Sequence, residues 1–168
     1  MAGPVSNSSS NQITPSLGDI LLPRALAPRV RWQGKKQVLS EMSAMMAAAL
    51  GLDSRLVHEA VLERERLGST GVGEGVAIPH ARIETLSRPV AGFARLLEPA
   101  DFEAIDERPA DLIFMLLAPT DSGADHLRAL ARAARVFRQE RIRNALRQAQ
   151  SAETVLAILA PDLAIDAA

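Results

Sequence analysis

The residues of this chain best suited to chemistry are three histidines and one glycine-rich loop. His58, His80 and His126 are scattered, with no H-E-x-x-H or other close pair, so no metal site is read from them. His80 stands apart by its setting: it follows Pro79, which interrupts the short apolar strand Val76-Ala77-Ile78, and it lies at the edge of the turn-rich segment Gly68-Ser69-Thr70-Gly71-Val72-Gly73-Glu74-Gly75. Strand pairing is expected to stop at His80. Backbone N–H groups of such a loop can form a nest for an anion. An imidazole with its ordinary pKa of about 6.5 is a nitrogen nucleophile near neutrality. The combination suits a phosphoryl group.

Two other residues are candidates for the same pocket. Arg64 falls on the apolar stripe of its helix, near the end, and His126 falls in the first turn of another, where free N–H groups and the helix dipole favour anions. Each has an ordinary alternative: an arginine stem lying over apolar surface, or a simply exposed histidine. Spacing leaves both open. His58 reads as a solvated helix residue. Nucleotide binding is disfavoured, because Gly71-Val72-Gly73-Glu74-Gly75-Val76 misses the third glycine of G-x-G-x-x-G and no P-loop exists. Ser69 lacks a G-x-S-x-G context and reads as turn chemistry rather than a hydrolase nucleophile.

The elements that must carry these residues are visible in the hydrophobic periodicity. Residues 1 to about 16 are Ser/Asn/Pro/Gly-rich and are expected to be a flexible tail, with the domain over residues 17–162 and a tail at 163–168. The first element read is a helix from Lys36 to Leu50, with Val38, Leu39, Met42, Met45, Met46, Ala49 and Leu50 at helical spacing and Gly51 as its stop. Asp53 or Ser54 caps a second, with Leu56, Val57, Ala60, Val61, Arg64 and Leu67 on one stripe and Gly68 at its end. Strands follow at residues 90–97 and 112–118, the second a continuous apolar run closed by Pro119 and therefore central. After Asp121-Ser122-Gly123 a helix places Leu127, Leu130, Ala131, Ala134 and Phe137 on one side, another carries Ile142, Ala145, Leu146 and Ala149, and Ser151 caps a last helix closed by Pro161. Helices before, between and after the strands predict an α/β fold: a single-domain three-layer sandwich, a mixed β-sheet flanked by helices on both faces.

Composition narrows the function classes. Nineteen Lys and Arg against 20 Asp and Glu give a formal net charge of -1, which offers no global field for nucleic acid or anionic membrane. The basic run Arg128, Arg132, Arg135, Arg138, Arg141, Arg143 and Arg147 is local, suited to phosphate or an acidic partner but more often a solvated face. The absence of cysteine excludes disulfides, thiolate nucleophiles and Cys-based zinc sites. No apolar run reaches the roughly 18 residues that span a bilayer, and the polar start lacks the regions of a secretory signal, so a cytoplasmic protein is expected. No cofactor is expected.

The stretch Arg64-Glu65-Arg66-Leu67-Gly68-Ser69-Thr70-Gly71 through Val76-Ala77-Ile78-Pro79-His80 resembles the enzyme IIA domains of the fructose/mannitol class (type 2) of the bacterial phosphotransferase system, and within it the nitrogen-regulatory branch. Phe102-Glu103-Ala104-Ile105-Asp106, Leu116-Leu117-Ala118-Pro119 and His126-Leu127 extend the likeness over residues 17–162. It implies that His80 matches the phosphorylated histidine and that Arg64 and His126 match the two residues around it. Two departures stand out: Ala81-Arg82 follows the histidine where Gly-Lys is familiar, and Arg128 replaces a second His.

On this resemblance His80 accepts phosphate from an HPr-like phosphocarrier protein (NPr type). Arg64 is expected to supply charge and His126 a hydrogen bond, as a neutral donor, because a positive imidazolium is disfavoured near a helix N-terminus. Ser69, Thr70 and Gly71, with loop amides, are the candidate phosphate cradle. The expected output is regulatory, through phosphorylation-dependent binding to a target such as a sensor kinase or ion transporter, with neither nucleic acid nor membrane insertion. Feeding a separate IIB protein for sugar transport, and a binding module that takes no phosphate, are the alternatives.

Overall fold

The computed structural model describes residues 16–166 except Ser122; residues 1–15 of the expected tail, Ser122 of the expected turn, and 167–168 lie outside the described residues. Six strands form one sheet: β1 (Leu21–Val30), β2 (Gly71–Gly73), β3 (Val76–Ala77), β4 (His80–Arg82), β5 (Val90–Ala100) and β6 (Ala110–Ala118). Six helices accompany them: α1 (Gly34–Leu50), α2 (Ser54–Leu67), α3 (Gly123–Arg138), α4 (Glu140–Gln148), α5 (Ala152–Leu159) and α6 (Pro161–Asp166).

The sheet runs β1-β5-β6-β3-β2, with β4 also paired to β6. It is mixed: β5 is antiparallel to β6, whereas β1 with β5, and β3 and β4 with β6, are parallel. The apolar run of β6 is central, as its composition requires, and period-two alternation divides it between two cores. Leu112, Phe114 and Leu116 pack on one face with Ala133, Val136 and Phe137 of α3, Leu146 of α4 and Val155 of α5. Ile113, Met115 and Leu117 pack on the other with Val38, Leu39, Met42 and Met46 of α1 and Val57 and Val61 of α2. The expected three-layer arrangement is the one observed.

Several local rules act where the sequence places them. Gly51 closes α1 with a φ of 69°, Asp53 caps α2 by accepting from the Arg55 N–H at 2.9 Å, and Ser151 caps α5 by accepting from the Thr154 N–H at 3.2 Å. Gly92 on β5 lets α1 approach: a Cβ there would lie 2.5 Å from Met46 Sδ and 2.9 Å from the Ala25 carbonyl.

Four expectations change. Strand β1 was hidden by Pro23 and Pro28; it is an edge strand, where a missing ladder donor is tolerated. Pairing does not stop at His80 but resumes there, with His80 opposite Leu116 as the first residue of β4. The glycine-rich loop is a hairpin: β2 and β3 are joined by Glu74 and Gly75, both at positive φ (57° and 75°), the signature of a type I′ turn. Pro161 both ends α5 and opens α6, whose span takes in residues assigned to the C-terminal tail.

Candidate functional site

His80 is held by its backbone neighbours before any other side chain acts. Pro79 separates β3 from β4, and its carbonyl accepts from the Leu116 N–H at 2.9 Å, so the chain re-enters the sheet one residue later. The Ile78 carbonyl lies 2.8 Å from His80 Nδ1. On the other side of the ring, Arg64 Nε donates to His80 Nε2 at 3.2 Å. A nitrogen that accepts from a guanidinium carries a lone pair, so Nε2 is unprotonated and Nδ1 bears the proton donated to Ile78. In this tautomer the lone pair is on Nε2.

Arg64 reaches this position from the last turn of α2, where a cation complements the helix dipole, and its Nη1 donates to the Gly68 carbonyl at 3.0 Å. His126, in the first turn of α3, is only 5% exposed, and its ring centroid is 5.5 Å from that of His80. Its Nδ1 is shielded from solvent and lacks a hydrogen-bond partner. The three candidates His80, Arg64 and His126 therefore meet. They line a cleft of about 510 Å³ with Ala60, Glu63, Leu67, Ala81, Arg82, Leu127 and Leu130.

The environment keeps both imidazoles neutral. Burial holds the His80 pKa below its ordinary 6.5; its hydrogen bond to Ile78 opposes this, Arg64 adds to it, and Glu65 opposes it. His126 is also lowered, first by burial and then by the charges of His80, Arg82 and Arg64. The sequence argument from the helix dipole gave the right direction, but desolvation is the leading cause.

The phosphate-cradle candidates lie outside this cleft. Ser69 Oγ donates to the Phe102 carbonyl and accepts from the Gly71 N–H. Thr70 is 4% exposed and gives both its N–H (3.1 Å) and its hydroxyl (2.5 Å) to the Glu65 carboxylate, which also pairs with Lys35 Nζ at 2.7 Å. Loop amides are committed too, the Glu74 N–H to Asp106 at 2.8 Å. Hairpin geometry consumes the donors that an open nest would have offered. This Glu65 network positions the end of α2, and the sequence reading missed it, although Glu65 stands beside Arg64 in the motif.

Other side chains also depart from expectation. The buried residues of α2 are Val57, Val61 and Glu65, one position round from the stripe read from the sequence; Leu56 and Leu67 are exposed. On α3 the buried residues are His126, Ala129, Ala133, Val136 and Phe137, while Leu127 is exposed. Leu67 and Leu127 face the His80 cleft rather than the core, whereas Ala60 and Leu130 line that cleft and also pack against the cores. His58 is half-buried with Nε2 shielded and unpaired, so it is not a solvated residue. The basic run is not one face. Arg143 is buried and donates to the Phe137 (3.0 Å) and Arg138 (2.7 Å) carbonyls, closing the end of α3. Arg147 clasps Asp111 through two bonds of 2.9 Å.

Among the described residues no group of three or more His, Asp or Glu is placed to hold a metal ion, and no helix is long and apolar enough to cross a membrane.

Comparison with known proteins gives this geometry a context. Residues 20–161 match the family described as "Phosphoenolpyruvate-dependent sugar phosphotransferase system, EIIA 2". A nitrogen regulatory protein of Bradyrhizobium diazoefficiens is 46% identical over 142 residues, covering 84% of this chain and 93% of that protein. The crystal structure of nitrogen regulatory protein IIA-Ntr from Neisseria meningitidis superposes with a TM-score of 0.79 at 38% identity, covering 84% and 97% of the two chains. Enzyme IIA of mannitol from Escherichia coli, solved in complex with phosphorylated enzyme IIB, shares the fold with a TM-score of 0.69 at 19% identity, covering 81% and 94%. A match across most of the chain, with a relative well above 30% identity, places the chain in the EIIA 2 family of the phosphoenolpyruvate-dependent sugar phosphotransferase system.

Proposed function

We propose that the chain is a cytoplasmic phosphoryl carrier in which His80 Nε2 takes the group from a phosphohistidine of an HPr-like protein of the NPr type. The observation that carries this reading is the pair of bonds on His80: Nδ1 to the Ile78 carbonyl at 2.8 Å, and Nε2 accepting from Arg64 at 3.2 Å in the wall of an open cleft.

The Nε2 lone pair attacks phosphorus as the P–N bond to the donor imidazole breaks and its electron pair returns to that ring. Positive charge develops on the His80 ring, where the Nδ1–H bond to Ile78 stabilises it. Transfer between two imidazoles exchanges bonds of similar type and is reversible. Phosphoryl transfer depends on in-line positioning and on charge compensation at the equatorial oxygens. Arg64 moves from the Nε2 lone pair to those oxygens, and neutral His126 donates to one of them. Arg82, the residue that replaces the familiar Lys, adds a second cation at the rim.

The acquired group adds roughly -1.5 to -2 charge, by analogy with other phosphorylated side chains. It appears amid the apolar rim of Leu67 and Leu127, 82% and 65% exposed, so a partner docked there meets a different surface in each state. That supports a regulatory output through phosphorylation-dependent binding, with a sensor kinase or ion transporter as the kind of target, in keeping with the nitrogen regulatory relative. The mannitol IIA neighbour, solved with phosphorylated IIB, supports the second reading: phosphate passed to a separate IIB protein.

The decisive experiment incubates the protein with a phosphorylated HPr-like carrier. Wild type acquires an acid-labile label and His80→Ala acquires none. Equal labelling of the mutant rejects His80 as acceptor; an unlabelled wild type that still binds its partner leaves a pure binding module. Onward transfer to an added IIB protein selects the transport reading.

A further inference from the structure

On the opposite side of α3 from His126 lies a second cleft, of about 570 Å³, bounded by Asp19, Ile20, Arg88, Pro89, and the α3 face that carries Asp125, Arg128, Ala129, Ala131, Arg132 and Arg135. Its volume is within the range of small-molecule sites, roughly 300–1,000 Å³. We propose that this cleft binds a small phosphate monoester, its phosphate held by Arg88, Arg132 and Arg135.

Charge accounting supports an anion. Asp19 pairs with Arg132 at 2.7 Å and Asp125 with Arg128 at 3.1 Å, so both carboxylates of the cleft are neutralised. Arg88 donates only to the Asp19 carbonyl, at 3.0 Å, and Arg135 has no hydrogen bond or ion pair among the described residues. Two positive charges therefore remain without a counter-charge. Arg132 also lines the cleft and gives one guanidinium N–H, from Nη2, to Asp19, so its fork keeps further donors for an anion.

The sequence spacing points the same way. Arg128, Arg132 and Arg135 stand at i, i+4 and i+7 on α3, an arrangement in which like charges repel and weaken the helix. Arg88 faces them from the segment leading into β5. Guanidinium groups approaching from two walls match the several oxygens of a tetrahedral phosphate better than the two coplanar oxygens of a carboxylate. Ile20 and Ala129, 4% and 5% exposed, supply an apolar floor for a short carbon skeleton. This proposal does not rest on His80: the two clefts have no lining residue in common.

The test is an NMR amide titration of the full chain in low-salt, phosphate-free buffer with glycerol 3-phosphate, inorganic phosphate and succinate as separate probes. Saturable shifts at residues 19–20, 88 and 128–135 are expected with both phosphate probes, with a weaker response to succinate. R88Q and R135Q, at exposed positions, weaken glycerol 3-phosphate binding at least fivefold with unchanged melting temperature, and His80→Ala binds as wild type. Shifts that grow linearly without saturation, or that gather at Arg64 and His80 and vanish in His80→Ala, overturn the proposal. An equal response to succinate overturns the phosphate assignment.

Discussion

Helix α3 divides two clefts of similar volume built on opposite principles. At His80 the nucleophile candidate is tied down on both sides: Arg64 rests on Nε2, the Nδ1 proton is on Ile78, and apolar Leu67 and Leu127 form the rim. Across the helix the arginines outnumber the aspartates and two have no counter-charge. The first cleft holds one neutral nitrogen in a partly desolvated place, which is what the proposed phosphoryl transfer would use. The second stores charge. A reactive centre gains from holding its nucleophile uncharged, whereas a binding site gains from unneutralised donors.

The strongest way to break this contrast is to remove the cation at the reactive side. Arg64→Ala is expected to slow phosphoryl acceptance by about 10²–10³-fold, the effect of losing a pre-positioned charge at developing negative oxygens. Melting should be almost unchanged, because Arg64 is half-exposed and belongs to no core cluster. Arg64 also helps to lower the His80 pKa, so the acid limb of the pH–rate profile should move to higher pH in the variant. R135Q, across α3, should leave the rate as in wild type. Equal slowing by both variants would mean that the clefts are not separate devices.

A second expectation concerns what aims Arg64. Glu65→Ala leaves the Thr70 N–H, the Thr70 hydroxyl and Lys35 without their acceptor, in a place where Glu65 is 8% exposed. The cost in stability should be about 2–3 kcal/mol, from unsatisfied buried donors and a broken, largely buried ion pair. Denaturant unfolding measures it. Labelling below the melting range should also be slower, since the end of α2 is no longer tied to the hairpin. A variant as stable as wild type would remove Glu65 from the positioning of Arg64.

These residues also mark how far the sequence could be read. The continuous apolar run of β6, the stop at Gly51 and the caps at Asp53 and Ser151 are local signals, and each acts where it stands. Helix faces were harder, because periodicity finds an apolar stripe without telling whether it meets the core or a cleft. Leu67 and Leu127 satisfy the same spacing as core residues while facing His80. Strand β1 escaped because its prolines are compatible with an edge, and edge position is a property of the sheet as a whole. The Ser69-Thr70-Gly71 segment reads as a cradle because its donors look free in one dimension; the Glu65 carboxylate and the Phe102 carbonyl that take up three of them are known only once the chain is folded. The arginine run divided for the same reason, with Arg143 and Arg147 drawn to the end of α3 and to Asp111.

The smallest expected effect sharpens the claim that the reactive cleft keeps its imidazoles neutral. His80 and His126 both have folded pKa values below the ordinary 6.5, chiefly through burial. The unfolded chain therefore takes up protons first as the solution is acidified. Stability attributable to these groups is fully present above about pH 6.5 and is lost as pH falls through the lowered folded values. Asp106 and Asp162, held below their ordinary 3.8, titrate in a separate, more acidic window, so melting followed from pH 7.5 to 5.5 isolates the histidines. Wild type should lose melting temperature across that interval, and His126→Asn, which keeps a polar amide but cannot take a proton, should show a shallower slope. An identical slope would mean that His126 is as easily protonated in the cleft as in water, and burial would then not be the reason that it remains a neutral donor.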